Sequence, residues 1–267
     1  MRRIITLLTD FGTKDYFVAE MKAVILSINP NVEIVDITHE VEKYNILNAS
    51  FILACAYKWF PKGTVHVVVV DPGVGTKRRA IVVESKNYYF VGPDNGVLMM
   101  ASLRDGIKRV VEITNKKYML ERISTTFHGR DIFAPVAAYI SKGVDLSDIG
   151  REINDYIVPE FVEPQIVDKR TIIGKIIHID SFGNLITNID RSILDKLNVS
   201  YGHHLEVRLR NKVIRVPFLP SYGYVKKGEF LALIDSEDFL EIAVNQGNAS
   251  KILNAKINDT IEVQIVE

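Results

Sequence analysis

Apolar positions in the first half of the chain alternate between short runs and helical spacing. Ile4–Leu8 is an almost unbroken apolar run closed at once by polar turn residues, as a strand buried on both faces requires. Phe17, Val18, Met21, Val24, Ile25 and Ile28 then recur every three or four residues, the spacing of one helix face, and Asn29-Pro30 ends that helix. Val32–Ile37 predicts a second strand, Ile46–Phe60 a second helix and Thr64–Val70 a third strand. Ala80–Glu84 and Tyr88–Val91 predict two further strands joined through Ser85-Lys86-Asn87, and Val97–Leu103 and Phe133–Ser141 predict two more helices. Strands and helices in this alternation predict an α/β domain, with a mostly parallel sheet covered by helices on both faces.

The pattern changes after about Asp155. Pro159–Lys169 holds two prolines and several charges and reads as a linker. Beyond it the apolar runs are short and separated by turns, at Thr171–Ile179, His204–Leu209, Lys212–Pro217, Phe230–Ile234, Leu240–Val244 and Thr260–Val266. Few helical patterns remain, which predicts a smaller antiparallel barrel or sandwich. The expected organisation is an N-terminal α/β domain over residues 1–158, a linker over 159–170 and a C-terminal β-barrel domain over 171–267.

Composition narrows the classes of function. Lys plus Arg (33) equals Asp plus Glu (33), so the basic excess of a nucleic-acid-binding protein is missing. No apolar run approaches the ~20 residues of a membrane span. The start of the chain passes from two arginines straight into a strand-like run, unlike a signal peptide, and a cytoplasmic protein is expected. The single cysteine, Cys55, lies in an apolar stretch and permits neither an internal disulfide nor a thiolate metal cluster. No two histidines show the spacing of a helical zinc site, so no metal is expected.

Ligands of open parallel sheets bind beyond the carboxyl ends of the strands. Asp10 falls there in Leu8-Thr9-Asp10-Phe11-Gly12, and Asp71 falls there in Val70-Asp71-Pro72-Gly73-Val74-Gly75. Aspartate before Pro or Gly is also ordinary turn and cap chemistry, so neither decides anything alone. Gly73-Val74-Gly75-Thr76-Lys77 lacks the spacing of a phosphate loop. Asp10-Phe11-Gly12 has no glycine-rich loop or lysine strand before it and is no kinase signal. Phe127-His128-Gly129-Arg130-Asp131 follows a Ser/Thr-rich loop and precedes a helix, a place where histidine is either catalytic or simply solvated. In the second half, Asp180-Ser181-Phe182-Gly183-Asn184 supplies turn formers that could also read a nucleoside, because a carboxamide offers a donor and an acceptor to an adenine edge. Asp235-Ser236-Glu237 is a short polar insert of the kind found in hairpin loops.

In order along the chain, Thr9-Asp10-Phe11-Gly12, Asp71-Pro72-Gly73-Val74-Gly75, Pro93-Asp94-Asn95-Gly96, Phe127-His128-Gly129-Arg130-Asp131 and Asp180-Ser181-Phe182-Gly183-Asn184 resemble the S-adenosylmethionine (SAM) hydroxide adenosyltransferase family, relatives of the fluorinases and chlorinases. The resemblance spans nearly the whole chain. It implies a homotrimer with active sites between the N-domain of one subunit and the C-domain of the next. It also implies SAM as the small-molecule substrate, with no cofactor, and adenosine and methionine as products. Asp71, Arg78 and His128 match a catalytic set, motif spacing favouring Arg78 over its neighbour Arg79. Asp10 matches a carboxylate on the ribose hydroxyls, Asp180 and Asn184 match polar groups at the adenosine, and Ser236 and Glu237 match the methionine end. Tyr44, Phe127 and Tyr222 match aromatic walls, and Val244 with Asn245 falls where backbone groups meet the adenine. The halogenating relatives carry tyrosine in place of Asp71 and serine in place of Gly129. A carboxylate repels a desolvated halide, which favours water as the nucleophile. A halogenase and a non-catalytic SAM or adenosine sensor are the competing readings.

Overall fold

The computed structural model describes residues 3–161 and 163–266, and the chain divides into two compact units between Pro159 and Glu160. The first unit runs β1 (Ile4–Thr9), α1 (Phe17–Ile28), β2 (Glu33–Thr38), α2 (Ile46–Ala56), β3 (Val65–Val69), β4 (Ala80–Ser85), β5 (Tyr89–Pro93), α3 (Met99–Asp105), β6 (Ile107–Ile113), α4 (Ala134–Ser141), α5 (Leu146–Ile149) and β7 (Gly150–Ile153). Its sheet has the order β2-β1-β3-β5-β4-β6-β7. The ladders β1–β2, β1–β3 and β3–β5 are parallel, whereas β4 is antiparallel to both β5 and β6, and β7 to β6. β2, β1, β3, β5 and β6 therefore point one way, so the sheet is mixed but mostly of one direction.

The period-two geometry of the strands sorts their side chains between two layers. Ile5, Leu7, Val65, Val67 and Val69 join a core built with Met21 and Ile25 of α1 and with Val136, Ala137 and Ile140 of α4. On the opposite face His66 is fully buried among Tyr57, Phe60, Tyr88 and Phe90, stacked on Phe90 at 5.2 Å. Burial pushes its pKa down to about 3, so it is a neutral core histidine that hydrogen-bonds the Thr6 hydroxyl at 2.8 Å. The helix expected over Ile46–Phe60 is α-helical only to Ala56 and tightens to a 3₁₀ turn at Tyr57–Trp59. Cys55 is half-buried on it.

The second unit contains β8 (Gln165–Ile166), β9 (Thr171–Ile179), β10 (Leu185–Asp190), α6 (Arg191–Lys196), β11 (His204–Leu209), β12 (Lys212–Pro217), β13 (Phe230–Ile234), β14 (Phe239–Val244), α7 (Ala249–Leu253) and β15 (Thr260–Val266). Its strands pair antiparallel in the order β12-β11-β15-β9-β10-β14-β13, with β8 added on β9. Just past β12, Phe218 forms a bridge to Ala232 of β13, and the Leu219 amide donates to the Ala232 carbonyl at 2.9 Å. The two ends of the sheet thereby meet, which makes a nearly closed barrel rather than a sandwich. Ile172, Ile176, Leu185, Val207, Phe218, Ile242 and Val263 fill it.

β6, β7, β8 (inside the expected linker) and β10, with the short helices α5, α6 and α7, fall outside the expected elements. Charges at Lys108, Arg109 and Glu112 interrupt the apolar pattern of β6. In β10, Thr187 and Asn188 resemble turn formers but serve the ladder: Thr187 Oγ1 donates to the Leu240 carbonyl at 2.8 Å, and Asn188 Oδ1 accepts from the Lys175 amide at 2.7 Å.

Candidate active site

β1 and β3 are neighbours with Thr9 opposite Val69, so the chain leaves the sheet at Asp10 and Asp71 side by side. The loop after Asp71 turns back through a bond from the Val74 amide to the Asp71 carbonyl, at 3.2 Å. Gly75 has φ +75°, and a Cβ there would stand 2.1 Å from the Thr125 carbonyl oxygen. Only glycine lets this loop lie against the Ser124–Thr126 loop. Asn95 Nδ2 donates to the Val70 carbonyl at 2.9 Å, which ties the Pro93-Asp94-Asn95-Gly96 segment to the same strand end.

Arg78 folds back over Asp71. Its Nε lies 2.9 Å from both carboxylate oxygens and its Nη2 lies 2.5 Å from Oδ2. The same Nη2 lies 2.8 Å from Nδ1 of His128. A guanidinium carries donors only, so Nδ1 must be the acceptor, and the imidazole is neutral with its proton on Nε2. Burial first, then the Arg78 charge, holds the His128 pKa below its ordinary value, in agreement with that tautomer. The guanidinium also lies over the Phe133 ring at 5.3 Å. Side-chain exposure is 4% for Asp71 and 10% for Arg78, so this pair is largely withdrawn from bulk water.

A cleft of about 290 Å³ opens beside these groups, near the low end of small-molecule sites. Asp10, Phe11, Asp15, Phe17, Lys43, Tyr44, Val69, Asp71, Phe127, His128 and Gly129 are among its lining. Asp10 Oδ2 accepts the Tyr44 amide at 2.9 Å, and Lys43 Nζ donates to the Asp10 carbonyl. Tyr44 holds φ +65° with its ring exposed at the cleft rim. Phe127 is buried and packs edge-on against Phe11 and Phe17 at 5.8 and 5.3 Å. Gly129 forms part of the floor, where a Cβ would meet Met21 Sδ and the Phe127 ring at 3.3 Å.

The adjacent Arg79 takes no part in this cluster. It pairs with buried Asp94 at 2.7 Å and with Asp155 at 2.6 Å, and Asp94 accepts the Ile157 amide at 2.9 Å. That set fastens the 155–157 segment to β4 and β5.

The second unit gathers its own polar groups. Asp180 organises the β9–β10 turn, accepting the Phe182 and Asn184 amides on Oδ1 at 3.0 and 2.8 Å and Asn184 Nδ2 on Oδ2 at 3.0 Å. Asp235 shapes the β13–β14 turn that carries Ser236 and Glu237 by accepting the Glu237 and Phe239 amides, each at 2.9 Å. Tyr222 donates its hydroxyl to Glu241 at 2.8 Å. Glu241 is buried, and desolvation raises its pKa to about 7 despite that bond, with Asp180 and Asp235 adding to the rise. Val244 is buried in the barrel, and its neighbour Asn245 donates Nδ2 to the Val225 carbonyl at 2.8 Å.

Comparison with known proteins covers both units. The N-terminal domain of the SAM hydroxide adenosyltransferases matches residues 5–150, and their C-terminal domain matches residues 174–262. The chain belongs to the SAM hydroxide adenosyltransferase family. It is 41% identical over 272 residues to an (R)-S-adenosyl-L-methionine hydrolase of Methanocaldococcus jannaschii, covering 97% of this chain and 95% of that one. It is 26% identical over 292 residues to a fluorinase of Nocardia brasiliensis, covering 99% and 97%. An uncharacterised conserved protein from Thermotoga maritima has a crystal structure that superposes with a TM-score of 0.93 at 44% identity, covering 97% of this chain and 99% of that one.

In this SAM hydroxide adenosyltransferase, Asp71, Arg78 and His128 are brought into one hydrogen-bonded set, with Asp10, Tyr44 and Phe127 around the adjoining cleft. In the second unit Asp180 and Asn184 share the β9–β10 turn beside the Val244 end of β14, Ser236 and Glu237 sit on the β13–β14 turn at the other end of that strand, and Tyr222 bonds Glu241 of β14. Sequence reading passed over Lys43 and Glu241, and gave no role to Asp131 although it closes the Phe127-His128-Gly129-Arg130-Asp131 motif. A carboxylate followed by apolar residues, as at Asp131 and Glu241, was the one available signal, because such a group must find partners if it is buried. Among the described residues, no group of three or more His, Cys, Asp or Glu side chains is placed to hold a metal ion. No helix among them is long and apolar enough to cross a membrane.

Proposed function

We propose that this SAM hydroxide adenosyltransferase hydrolyses S-adenosyl-L-methionine, as the (R)-sulfonium epimer named for its hydrolase relatives, to adenosine and L-methionine. Water attacks ribose C5′ in line with the C5′–S bond. The bonding pair leaves on sulfur, and methionine departs as a neutral thioether, so the reaction calls for no general acid at sulfur and no cofactor. What remains is to position water and take its proton, and positioning alone supplies several kcal/mol of such a barrier. One observation carries the assignment: Asp71, in the lining of the cleft, is locked by Arg78 on both oxygens. Oδ2 accepts from both Nε and Nη2 of Arg78, whereas Oδ1 accepts from Nε alone and keeps a lone pair free for water. His128 accepts from Arg78 on Nδ1 and carries its proton on Nε2, so its part is to steady Arg78 rather than to act as the base. Asp10 holds the ribose hydroxyls, while Tyr44 and Phe127 wall the nucleoside. A halide 4 Å from the Asp71 carboxylate would be repelled by about 4 kcal/mol at an effective dielectric of 20, before any offset from Arg78.

Asp180, Asn184, Tyr222, Ser236, Glu237 and Val244 serve the adenosine and methionine ends in the same proposal. Assembly as a homotrimer, which the family resemblance implies, is how the two residue sets come to share a substrate. A cytoplasmic location fits a chain whose one cysteine leaves no internal disulfide. Turnover in ¹⁸O-water tests the reaction: label in the ribose 5′-hydroxyl of adenosine is expected, and label in the amino-acid product would overturn attack at C5′.

A further inference from the structure

Asp131 is fully buried, lies three residues beyond His128 and is not itself part of the cleft lining. Burial pushes its pKa up, but bonds from Arg130 and Ser124 outweigh that and hold it below the usual carboxylate range, so it is ionised. Its Oδ2 accepts the Ser124 amide at 2.8 Å and the Ser124 hydroxyl at 2.7 Å, and its Oδ1 accepts Arg130 Nε at 2.6 Å. Arg130 is anchored in turn to Glu20 of α1 at 3.0 Å and lies over the Phe127 ring at 5.1 Å. Ser124 Oγ also accepts the Phe127 amide at 3.0 Å, so a single hydroxyl closes the loop that carries Phe127 and His128. His128 follows Phe127 directly and is held at Nδ1 by Arg78. A π-turn over Gly129–Phe133 brings Asp131 back under this loop.

We propose that Asp131 is a positioning residue of the reaction: by pinning Ser124, whose hydroxyl holds the Phe127 amide, it keeps the next residue, His128, aligned on Arg78 and so in its Nε2–H tautomer, and through Arg78 it steadies the Asp71 carboxylate. The kinetic part rests on the hydrolase reading; the tautomer part does not. An ionised, fully buried carboxylate with three donors is stiffer than a loop held by backbone bonds alone, and a loop carrying a catalytic set must be stiff to about an ångström, since such a misplacement costs about 100-fold in rate.

The test uses full-length protein labelled with ¹⁵N-histidine, with the His128 signals assigned by their loss in His128→Gln. Wild type is expected to show His128 as one Nε2–H tautomer. Ser124→Ala, which removes the hydroxyl bond to Asp131 and the acceptor for Phe127 N–H, is expected to mix the two tautomers and to lower kcat about 10- to 100-fold with KM within about threefold. Ser124→Thr, which keeps the hydroxyl, restores both. Asp131→Asn is expected to behave as Ser124→Ala, and if it does not fold, Ser124→Ala carries the test. An unchanged tautomer and kcat in Ser124→Ala, with only thermal stability lowered, would overturn the proposal by showing a purely structural role. Absence of adenosine from wild type would instead overturn the hydrolase reading, while the tautomer comparison would still decide the role of Asp131.

Discussion

Arg78 and Arg79 are adjacent in sequence and have separate tasks, so matched lysine substitutions discriminate between them. Arg78 bonds both oxygens of Asp71 and Nδ1 of His128 at once. Lysine keeps the charge but is a point donor on a flexible stem, and it cannot hold a carboxylate fork and an imidazole together. At least one hydrogen bond to a charged group is lost, worth roughly 1.5–3 kcal/mol. At about 1.4 kcal/mol per tenfold, this predicts that kcat of Arg78→Lys falls by roughly 10- to 100-fold. Asp10 and Phe127 keep their places in the cleft, so KM stays within about threefold. In Arg79→Lys the buried Asp94 keeps a weaker partner, and stability falls by roughly 1–3 kcal/mol, the exposed Asp155 arm contributing little. Its kcat stays within about twofold of wild type, because the segment it fastens holds no cleft residue. Steady-state adenosine release across a range of SAM concentrations, beside thermal denaturation, measures both. Equal losses of kcat in the two variants, or near-normal turnover in Arg78→Lys, would refute the division of labour.

Three further outcomes are expected. His128 must be neutral to accept from Arg78, and its pKa lies below 6.5, so turnover is flat above that pH and falls as pH drops through the depressed value; a profile that instead rises as pH falls through this range would contradict it. Gly75→Ala adds a Cβ 2.1 Å from the Thr125 carbonyl at φ +75°, and a stability loss of roughly 2–4 kcal/mol with collapse of kcat is expected by denaturation and turnover assays. Glu241 has a folded pKa of about 7 against an ordinary 4.5, so its contribution to stability is complete below pH 4.5 and is lost as pH rises to 7, about 3 kcal/mol in all. Glu241→Gln should remove that slope in urea unfolding measured from pH 4.5 to 8, and an unchanged slope would show that Glu241 ionises normally.

The sheet and the edge that carries Asp10 and Asp71 were legible because they depend on local pattern. The apolar runs at Ile4–Leu8 and Thr64–Val70 end in Asp10 and Asp71, and parallel neighbours must then deliver those aspartates to one edge. The ordered motifs likewise pointed to Asp71, Arg78 and His128. The division between Arg78 and Arg79 was not legible, since it depends on Asp155, 76 residues further along the chain. β10 was hidden because Thr187 and Asn188 satisfy ladder groups that only the folded sheet creates. Asp131 and Glu241 were hidden for a related reason. A carboxylate in an apolar segment reads as exposed until the serine, arginine or tyrosine that satisfies it is placed beside it.

Purified protein incubated with (R)-S-adenosyl-L-methionine, with and without chloride and beside Asp71→Asn, tests the central claim most directly when the products are separated by chromatography. The account predicts adenosine and methionine in equal amounts, unaffected by chloride and reduced at least about 100-fold in Asp71→Asn. Near-normal adenosine release from Asp71→Asn, a 5′-chlorinated nucleoside, or tight binding of SAM without turnover would contradict it.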